Sequence, residues 1–130
     1  MNESSRRRAD ANAAAGARTL AGRLTPAELA ALDEFLGAVR AMLGDELKEA
    51  RLFGSRSRGE GGTDSDLDVA LVVTAGGRGR RREVHDLAYE TMLRHGIAVS
   101  PLVIEETVLA GLRSRERRIA LDLEREGIVL

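Results

Sequence analysis

The sequence lacks several residue types, and each absence excludes a kind of site or a class of protein. It has no cysteine, which excludes disulfides, thiolate metal sites and thiol nucleophiles. Two phenylalanines and one tyrosine are its only aromatic residues, so the core must be built from Leu, Val, Ile and Ala. No apolar run approaches the roughly 20 residues that cross a bilayer, so the sequence predicts no membrane association.

The charge is balanced, and this balance limits the expected partners. The formal net charge is −1 and the pI is about 6.2, which gives no general attraction to nucleic acid or to an anionic membrane. The first residues contain an arginine cluster but no apolar segment of the kind that a secretory signal needs. We therefore expect a cytoplasmic protein that does not bind nucleic acid.

The length and the pattern of the chain predict one domain with a leader. At 130 residues the chain suits a single hydrophobic core. Residues 1–22 are small, polar and rich in Ala and Gly without a clear period, which predicts a flexible N-terminal leader. Residues 23–130 form the expected domain.

Helical periodicity is clearest in two segments. A helix is predicted from Pro26, with Thr25 as N-cap and Glu28 completing a capping box, and it ends at Gly44. A second helix is predicted over residues 81–95, and its inward positions are Val84, Leu87, Ala88 and Leu93.

Short apolar runs predict the strands. They are "EARLF" (49–53), "DVALVV" (68–73) and "GIAVSPLVI" (96–104), where Pro101 favours an edge or a bulge. "GGRGRR" is predicted to be a loop, residues 105–127 to be mostly helix, and "IVL" to be a last strand. The order of elements predicts an α+β fold in which helices back a small mixed sheet.

The stretch "RLFGSRSRGEGGTDSDLDVALVV" joins two of these strands and carries the chemistry. The Gly54–Ser55 junction after the first strand is predicted to present free backbone N–H groups, which suit a phosphate. Gly54 allows close approach of the backbone, Ser55 adds a hydroxyl donor, and Arg56 or Arg58 can pair with charge.

Two aspartates precede the second apolar run. Side chains alternate along a strand, so Asp66 and Asp68 point to the same side, with backbones roughly 7 Å apart. Leu67 and Val69 face the core and fix this register. Two adjacent carboxylates repel each other unless a hard divalent cation such as Mg²⁺ lies between them. A phosphate-binding turn facing such a pair is typical of phosphoryl or nucleotidyl transfer.

The segment from Gly54 to Val73 resembles the signature of the polymerase-β-type nucleotidyltransferase superfamily, in which a hydrophobic–Gly–Ser turn precedes a hydrophobic-flanked Asp-x-Asp. Within it, the short chain is most similar to the minimal nucleotidyltransferase (MNT) domains. The resemblance covers roughly residues 25–130 and implies a polymerase-β-like fold. It also implies Mg²⁺-dependent transfer of a nucleoside monophosphate, with ATP as the expected donor, to a hydroxyl acceptor.

The resemblance also implies roles for individual residues and a partner. Gly54 and Ser55 would hold the triphosphate with Arg58 nearby, and Asp66 and Asp68 would ligate the metal and carry catalysis. Several MNT proteins are antitoxins that modify a small helical HEPN-type protein with AMP, so a helical protein partner is expected.

One departure from the superfamily pattern concerns the third carboxylate, which the next core strand usually supplies. That strand contains no acid here, and Ser100 stands about where the acid is expected. Glu105 follows the strand. Either the site works with two acids, or a neighbour such as Glu105 substitutes, or the domain binds nucleotide and metal without efficient transfer.

Two hypotheses about function therefore remain open at the level of sequence. The chain is a nucleotidyltransferase that acts on a hydroxyl of a protein or a small molecule, as the aspartate pair indicates. Alternatively, it is a catalytically degenerate domain that binds a nucleotide or a partner, as the acid-free strand indicates.

Overall fold

A computed structural model describes residues 22–54, 56, 65–115 and 118–130. The predicted leader lies outside these ranges except for its last residue, so the domain boundary after residue 22 stays a prediction. The elements, in chain order, are α1 (Pro26–Leu43), a 3₁₀ turn (Gly44–Glu46), β1 (Leu47–Phe53), β2 (Leu67–Val73), α2 (Ala75–Arg78), α3 (Arg81–His95), β3 (Val99–Glu105), α4 (Glu106–Ser114), α5 (Arg118–Glu126) and β4 (Ile128–Val129).

The strands form one mixed sheet in the order β3-β2-β1-β4. Strand β1 is antiparallel to both β2 and β4, whereas β2 and β3 are parallel. The α+β class predicted from the sequence is confirmed. Strand β3 lies at one edge of the sheet, which is a position that tolerates Pro101.

Helix α1 begins and ends where the sequence predicts. The Glu28 backbone N–H donates to Thr25 Oγ1 over 3.1 Å, and the Thr25 N–H donates to Glu28 Oε1 over 2.8 Å. This capping box satisfies two N–H groups that a helix start otherwise leaves without partners. Gly44 ends the helix with φ at 55°, a conformation that costs glycine little.

Strand β2 is covered on both faces, as its continuous apolar sequence predicts. Its odd-numbered residues from Leu67 to Val73 are buried in the cluster that includes the inner faces of α1 and α3. Its even-numbered residues Ala70 and Val72 pack in a second cluster with the inner residues of α4 and α5. The alternation leaves Asp68 on the α4–α5 side of the sheet, at the end where β2 begins.

Helix α3 has the predicted bounds, but one of its predicted inward residues is wrong. Val84 and Ala88 are buried and Leu87 packs against the core, whereas Leu93 is 65% exposed. Nine residues separate Val84 from Leu93, which is two and a half helical turns, so the two side chains point in opposite directions. Thr91 occupies the buried position instead, and its hydroxyl donates to the Leu87 carbonyl.

The predicted loop "GGRGRR" contains a helical turn, and the predicted C-terminal helix is two helices. Helix α2 forms in the loop because Thr74 caps it by accepting the Gly77 N–H. Helix α4 packs against β2 and β3, whereas α5 packs against β1. Between the two helices the chain therefore moves along one face of the sheet, from β2 and β3 to β1. It ends in β4, which pairs with β1 as the predicted last strand.

Within the described ranges, no helix combines the length and the apolar character that a membrane span requires.

Candidate active site

The turn after β1 lies directly against the carboxylate of Asp68. Gly54 has φ at 75°, in the left-handed region that favours glycine. A Cβ atom added to Gly54 would collide with Asp68 Oδ2 and would lie 3.3 Å from Asp68 Cγ. Any side chain at this position would therefore be strained by the backbone and would displace the carboxylate.

The register of the sheet explains why Asp68 lies there. Asp68 pairs with Phe53, the last residue of β1, so the residue after Phe53 passes beside it. Leu67 and Val69 are fully buried on the other face, which confirms the predicted register. A slip of one residue would bury Asp68 in the α1–α3 cluster and expose the leucine and the valine.

The two predicted carboxylates lie at the mouth of this strand. Asp66 is exposed and immediately precedes β2, whereas Asp68 is partly buried within it. Burial raises the pKa of the Asp68 carboxyl above its usual value, and the negative charge of Asp66 raises it further. The two carboxylates are therefore close enough to repel each other. A hard divalent cation relieves such repulsion, and oxygen donors of this kind fit Mg²⁺.

Ser100 lies next to the aspartates, on the neighbouring strand. It pairs with Asp68 across β2 and β3, which places both residues on the same face of the sheet. Ser100 is exposed, so its hydroxyl is open to solvent. The position expected to supply a third acid is therefore beside the aspartate pair, and it holds a neutral side chain.

Glu105 is too far from the pair to replace that acid. It pairs with Val73 at the opposite end of β3. Five residues separate it from Ser100, which corresponds to about 16 Å along a strand. Its carboxylate is also engaged elsewhere, because Thr107 donates to it over 3.1 Å and Arg78 lies 3.7 Å away. The structure thus excludes Glu105 as the substitute for the third acid.

Within the described ranges, no group of three or more acidic or histidine side chains is placed to hold a metal ion. Ser55 and Arg58, which are predicted to contact the nucleotide, lie outside the described residues, so their roles stay predictions.

Arg56 has a structural partner that the sequence does not reveal. Its side chain is buried and forms an ion pair with Glu28, whose side chain is buried as well. The sequence identifies Glu28 only as part of a capping box, because that pattern is local. An ion pair between residues 28 positions apart has no such local signal. The sequence indicates only that Arg56 lies close to the glycine turn, and it does not indicate that Arg56 pairs with Glu28.

The chain is similar to several known proteins. The model of the family described as "Nucleotidyltransferase domain" matches residues 32–120. Two proteins of Methanocaldococcus jannaschii, each named "putative protein adenylyltransferase", are similar to the chain. The first is 38% identical over 57% of this chain and 52% of its own length, so the match spans about half of that relative. The second is 30% identical over 58% of this chain and 72% of its own length.

A solved structure is also similar to this chain. It is the "putative nucleotidyltransferase" from Sulfolobus solfataricus, with 21% identity, coverage of 88% of this chain and 84% of that chain, and a TM-score of 0.44.

Proposed function

Because the chain belongs to the nucleotidyltransferase domain family, we propose that it transfers AMP from ATP to a hydroxyl group of a protein. In this reaction the acceptor oxygen forms a bond to the α-phosphorus and its hydroxyl proton passes to solvent, while the bond between the α-phosphorus and the bridging oxygen breaks and pyrophosphate leaves. The names of the relatives support a protein as the acceptor and AMP as the transferred group.

The observation that carries the proposal is the contact between the glycine turn and the aspartate strand. Gly54 has no side chain to separate its backbone from the Asp68 carboxylate. A triphosphate held by the backbone of that turn would therefore lie next to the carboxylates. This juxtaposition is what nucleotidyl transfer requires, because the reacting phosphate and its charge-stabilising groups must share one site.

The residues present fit a divalent cation. Asp66 and Asp68 would hold it, and their mutual repulsion in its absence is the physical reason to expect one. A bound Mg²⁺ would neutralise charge on the phosphates and orient them. The chain itself would bind the triphosphate at the turn. It holds Asp68 on a strand whose register is fixed by the core, with Asp66 just before that strand.

Calorimetry with ATP and Mg²⁺ tests the site. Wild type should bind MgATP, and the double variant Asp66→Ala/Asp68→Ala should not, because the cation that bridges protein and nucleotide loses both ligands. The single variant Asp86→Asn, which changes an exposed aspartate on α3, is the matched control and should bind as wild type does. Equal affinity of wild type and the double variant would refute the site.

We further propose that the acceptor is a small helical protein of the HEPN type, as the resemblance to MNT domains implies. Co-purification of this chain with such a protein encoded by a neighbouring gene tests the partner. Mass spectrometry of the partner after incubation with MgATP should show the added mass of one AMP. Binding without any added mass would leave a partner-binding role only.

That partner-binding role is the second candidate function, and one observation favours it. Ser100 is neutral and cannot hold a cation or accept a proton as a carboxylate does, and it occupies the place beside Asp68 where an acid is expected. A domain of this kind would bind nucleotide and metal and would act by contact with its partner. Transfer measured with the cognate partner separates the two candidates, since the second predicts binding without transfer.

A further inference from the structure

A buried ion pair joins the start of α1 to the segment that follows the glycine turn. Arg56 donates from Nη2 to Glu28 Oε1, and their side chains are only 6% and 5% exposed. The same nitrogen lies 3.3 Å from the Arg23 carbonyl oxygen, to which it also donates. Arg56 therefore contacts both the carboxylate in the first turn of α1 and the backbone just before that helix.

A single oxygen atom connects this ion pair to the helix cap. Glu28 Oε1 accepts from the Thr25 backbone N–H and from Arg56 at the same time. The orientation of Arg56 is thereby tied to the first turn of a helix whose inner face is buried in the core.

The burial of this pair distinguishes it from the ion pairs at the surface. In the pair between Arg113 and Glu124, for example, the side chains are 49% and 40% exposed. A buried ion pair adds little net stability over apolar residues of similar size, but the loss of one partner leaves an uncompensated buried charge. What such a pair does supply is a fixed geometry, since both groups must remain in contact.

We infer that Glu28 is a positioning residue for the nucleotide site: through Arg56 it anchors the chain two residues beyond Gly54. The inference rests on the proposed function, in that the turn at Gly54 is taken to hold the triphosphate. Gly54 is the most flexible type of residue and lies between β1 and Arg56. Strand β1 holds Phe53, the residue before Gly54, and the ion pair holds Arg56, two residues after it.

Two variants separate positioning from helix capping. Glu28→Gln keeps the size of the side chain and an oxygen that accepts the Thr25 N–H, but it removes the charge that faces Arg56. Thr25→Ala removes the hydroxyl cap of α1 and leaves the backbone N–H and the ion pair in place. Both variants should lower the melting temperature. A difference between them in amide exchange at Gly54 and Arg56 therefore measures the effect of the ion pair and not of lost stability.

The first measurement is amide hydrogen exchange of Gly54 and Arg56 in the free protein, well below the melting temperature. Glu28→Gln should accelerate exchange at both amides about tenfold or more, because Arg56 loses its ion pair. Thr25→Ala should leave these rates within about twofold of wild type. If Glu28→Gln unfolds, Arg56→Lys replaces it. This variant keeps a positive charge but loses the fork of the guanidinium, so exchange should accelerate by an intermediate amount.

The second measurement is the dissociation constant of MgATP. Glu28→Gln should raise it about tenfold, and Thr25→Ala should leave it unchanged. Equal changes in the two variants, in exchange or in affinity, would overturn the inference, and so would faster exchange without weaker binding. If wild type does not bind MgATP, the proposed function fails, and the exchange rates alone then decide whether Glu28 positions the turn.

Discussion

At each end of the sheet lies a glycine with no room for a side chain, but the atoms that surround the two glycines differ. At the end where β1 finishes, a Cβ on Gly54 would collide with the carboxylate of Asp68. At the opposite end, a Cβ on Gly77 would lie 2.7 Å from Val73 Cβ and 3.2 Å from the Glu46 carbonyl oxygen. The first neighbour is an ionisable group at a candidate site, and the second is core and backbone.

This difference indicates what each close approach is for. Val73 is fully buried and β-branched, so neither it nor the Glu46 backbone can move easily. The packing at Gly77 therefore serves the fold. Asp68 is only partly buried, and it lies beside the exposed Asp66 and Ser100. The packing at Gly54 brings a backbone turn to a group that remains open to a ligand. Changes at the two ends should therefore affect different measurements.

The largest expected effect is on transfer, from Asp68→Asn. Asparagine keeps the shape but loses the charge that holds a cation, and such electrostatic contributions are worth several kcal/mol of barrier, or roughly a hundred- to a thousandfold in rate. The melting temperature should not fall, because the charged form of Asp68 is disfavoured by burial and by Asp66. Initial rates of labelled AMP incorporation and thermal melts of the same samples measure both quantities.

The matched control for Asp68→Asn is Glu105→Gln, at the far end of the sheet. Glu105 is about 16 Å from the Ser100 position along β3, so the rate of transfer should stay within about twofold of wild type. A large loss of transfer in Glu105→Gln would contradict the register of β3 and would restore Glu105 as a catalytic acid.

The next effect compares Gly54→Ala with Gly77→Ala. At Gly54 an alanine costs about 1–2 kcal/mol because its φ is positive. Asp68 can rotate away from the new methyl group, and its displacement should abolish most of the transfer. At Gly77 the methyl group meets rigid neighbours, so unfolding should become easier by about 1–3 kcal/mol. Transfer per folded molecule should be retained in Gly77→Ala.

Urea unfolding at equilibrium gives the change in stability of each variant, and transfer rates are divided by the folded fraction. The proposed difference between the two ends is wrong if, after this correction, Gly77→Ala loses as large a fraction of the transfer rate as Gly54→Ala does. It also fails if Gly54→Ala keeps normal transfer, since the collision with Asp68 would then have no consequence.

The sequence predicts those parts of the molecule that depend on local patterns. The capping box at Thr25, the buried pair Leu67 and Val69, and the extended conformation of the last residues all follow from local patterns, whereas the pairing of β4 with β1 does not. The division of the C-terminal helix does not, because it depends on where the chain must cross the sheet. The wrong inward assignment of Leu93 follows from choosing an apolar residue over Thr91, whose hydroxyl is satisfied by a backbone carbonyl.

The candidate site shows the same limit. The approach of Gly54 to the aspartate strand follows from a motif with a known spacing. The pairing of Ser100 with Asp68 depends on the register between two strands that are 32 residues apart, which the strand lengths allow but do not fix. The ion pair between Glu28 and Arg56 needs the tertiary fold, since neither residue has an unusual local pattern that indicates its partner.

A smaller effect, and a gain, is expected from Ser100→Asp. The register places the new carboxylate on the same face as Asp68 and beside it, so it would complete a set of three acids with Asp66 and Asp68. We expect transfer to rise about tenfold over wild type, which corresponds to 1.4 kcal/mol of barrier. Ser100→Asn is the control, because asparagine matches aspartate in size but has no charge, and it should give no gain in transfer.

The two rates are measured by labelled AMP incorporation into the partner, or by ATP hydrolysis where no partner is known. Rapid transfer by wild type that Ser100→Asp does not increase would mean that another group already acts as the third acid. No transfer by any variant, with binding of the partner intact, would favour the partner-binding function.

The smallest effect is expected at an exposed ion pair on the segment that leads into the site end of the sheet. His95 Nε2 lies 2.7 Å from Glu34 Oε2 and Arg94 Nε lies 3.0 Å from Glu34 Oε1, joining α3 to α1 just before the chain enters β3. The glutamate side chain is 37% exposed. Its partial burial opposes ionisation, but the hydrogen bonds and charges of His95 and Arg94 prevail and lower the pKa of Glu34.

Glu34→Gln tests whether a residue that lies near this end of the sheet, but does not contact the site, affects MgATP binding. Because the pKa of Glu34 is lowered in the folded state, its ionised form stabilises the fold above the usual pKa of 4.5, and this contribution disappears as the pH falls through the folded value. The melting temperature of Glu34→Gln should therefore lie slightly below that of wild type near neutral pH. The two should converge as the pH falls below the folded pKa of Glu34, and MgATP binding should be unchanged at neutral pH. A gap that widens on acidification would contradict the sign of this shift. Weaker binding of MgATP would show that the site depends on the contact between α1 and α3 as well as on the turn at Gly54.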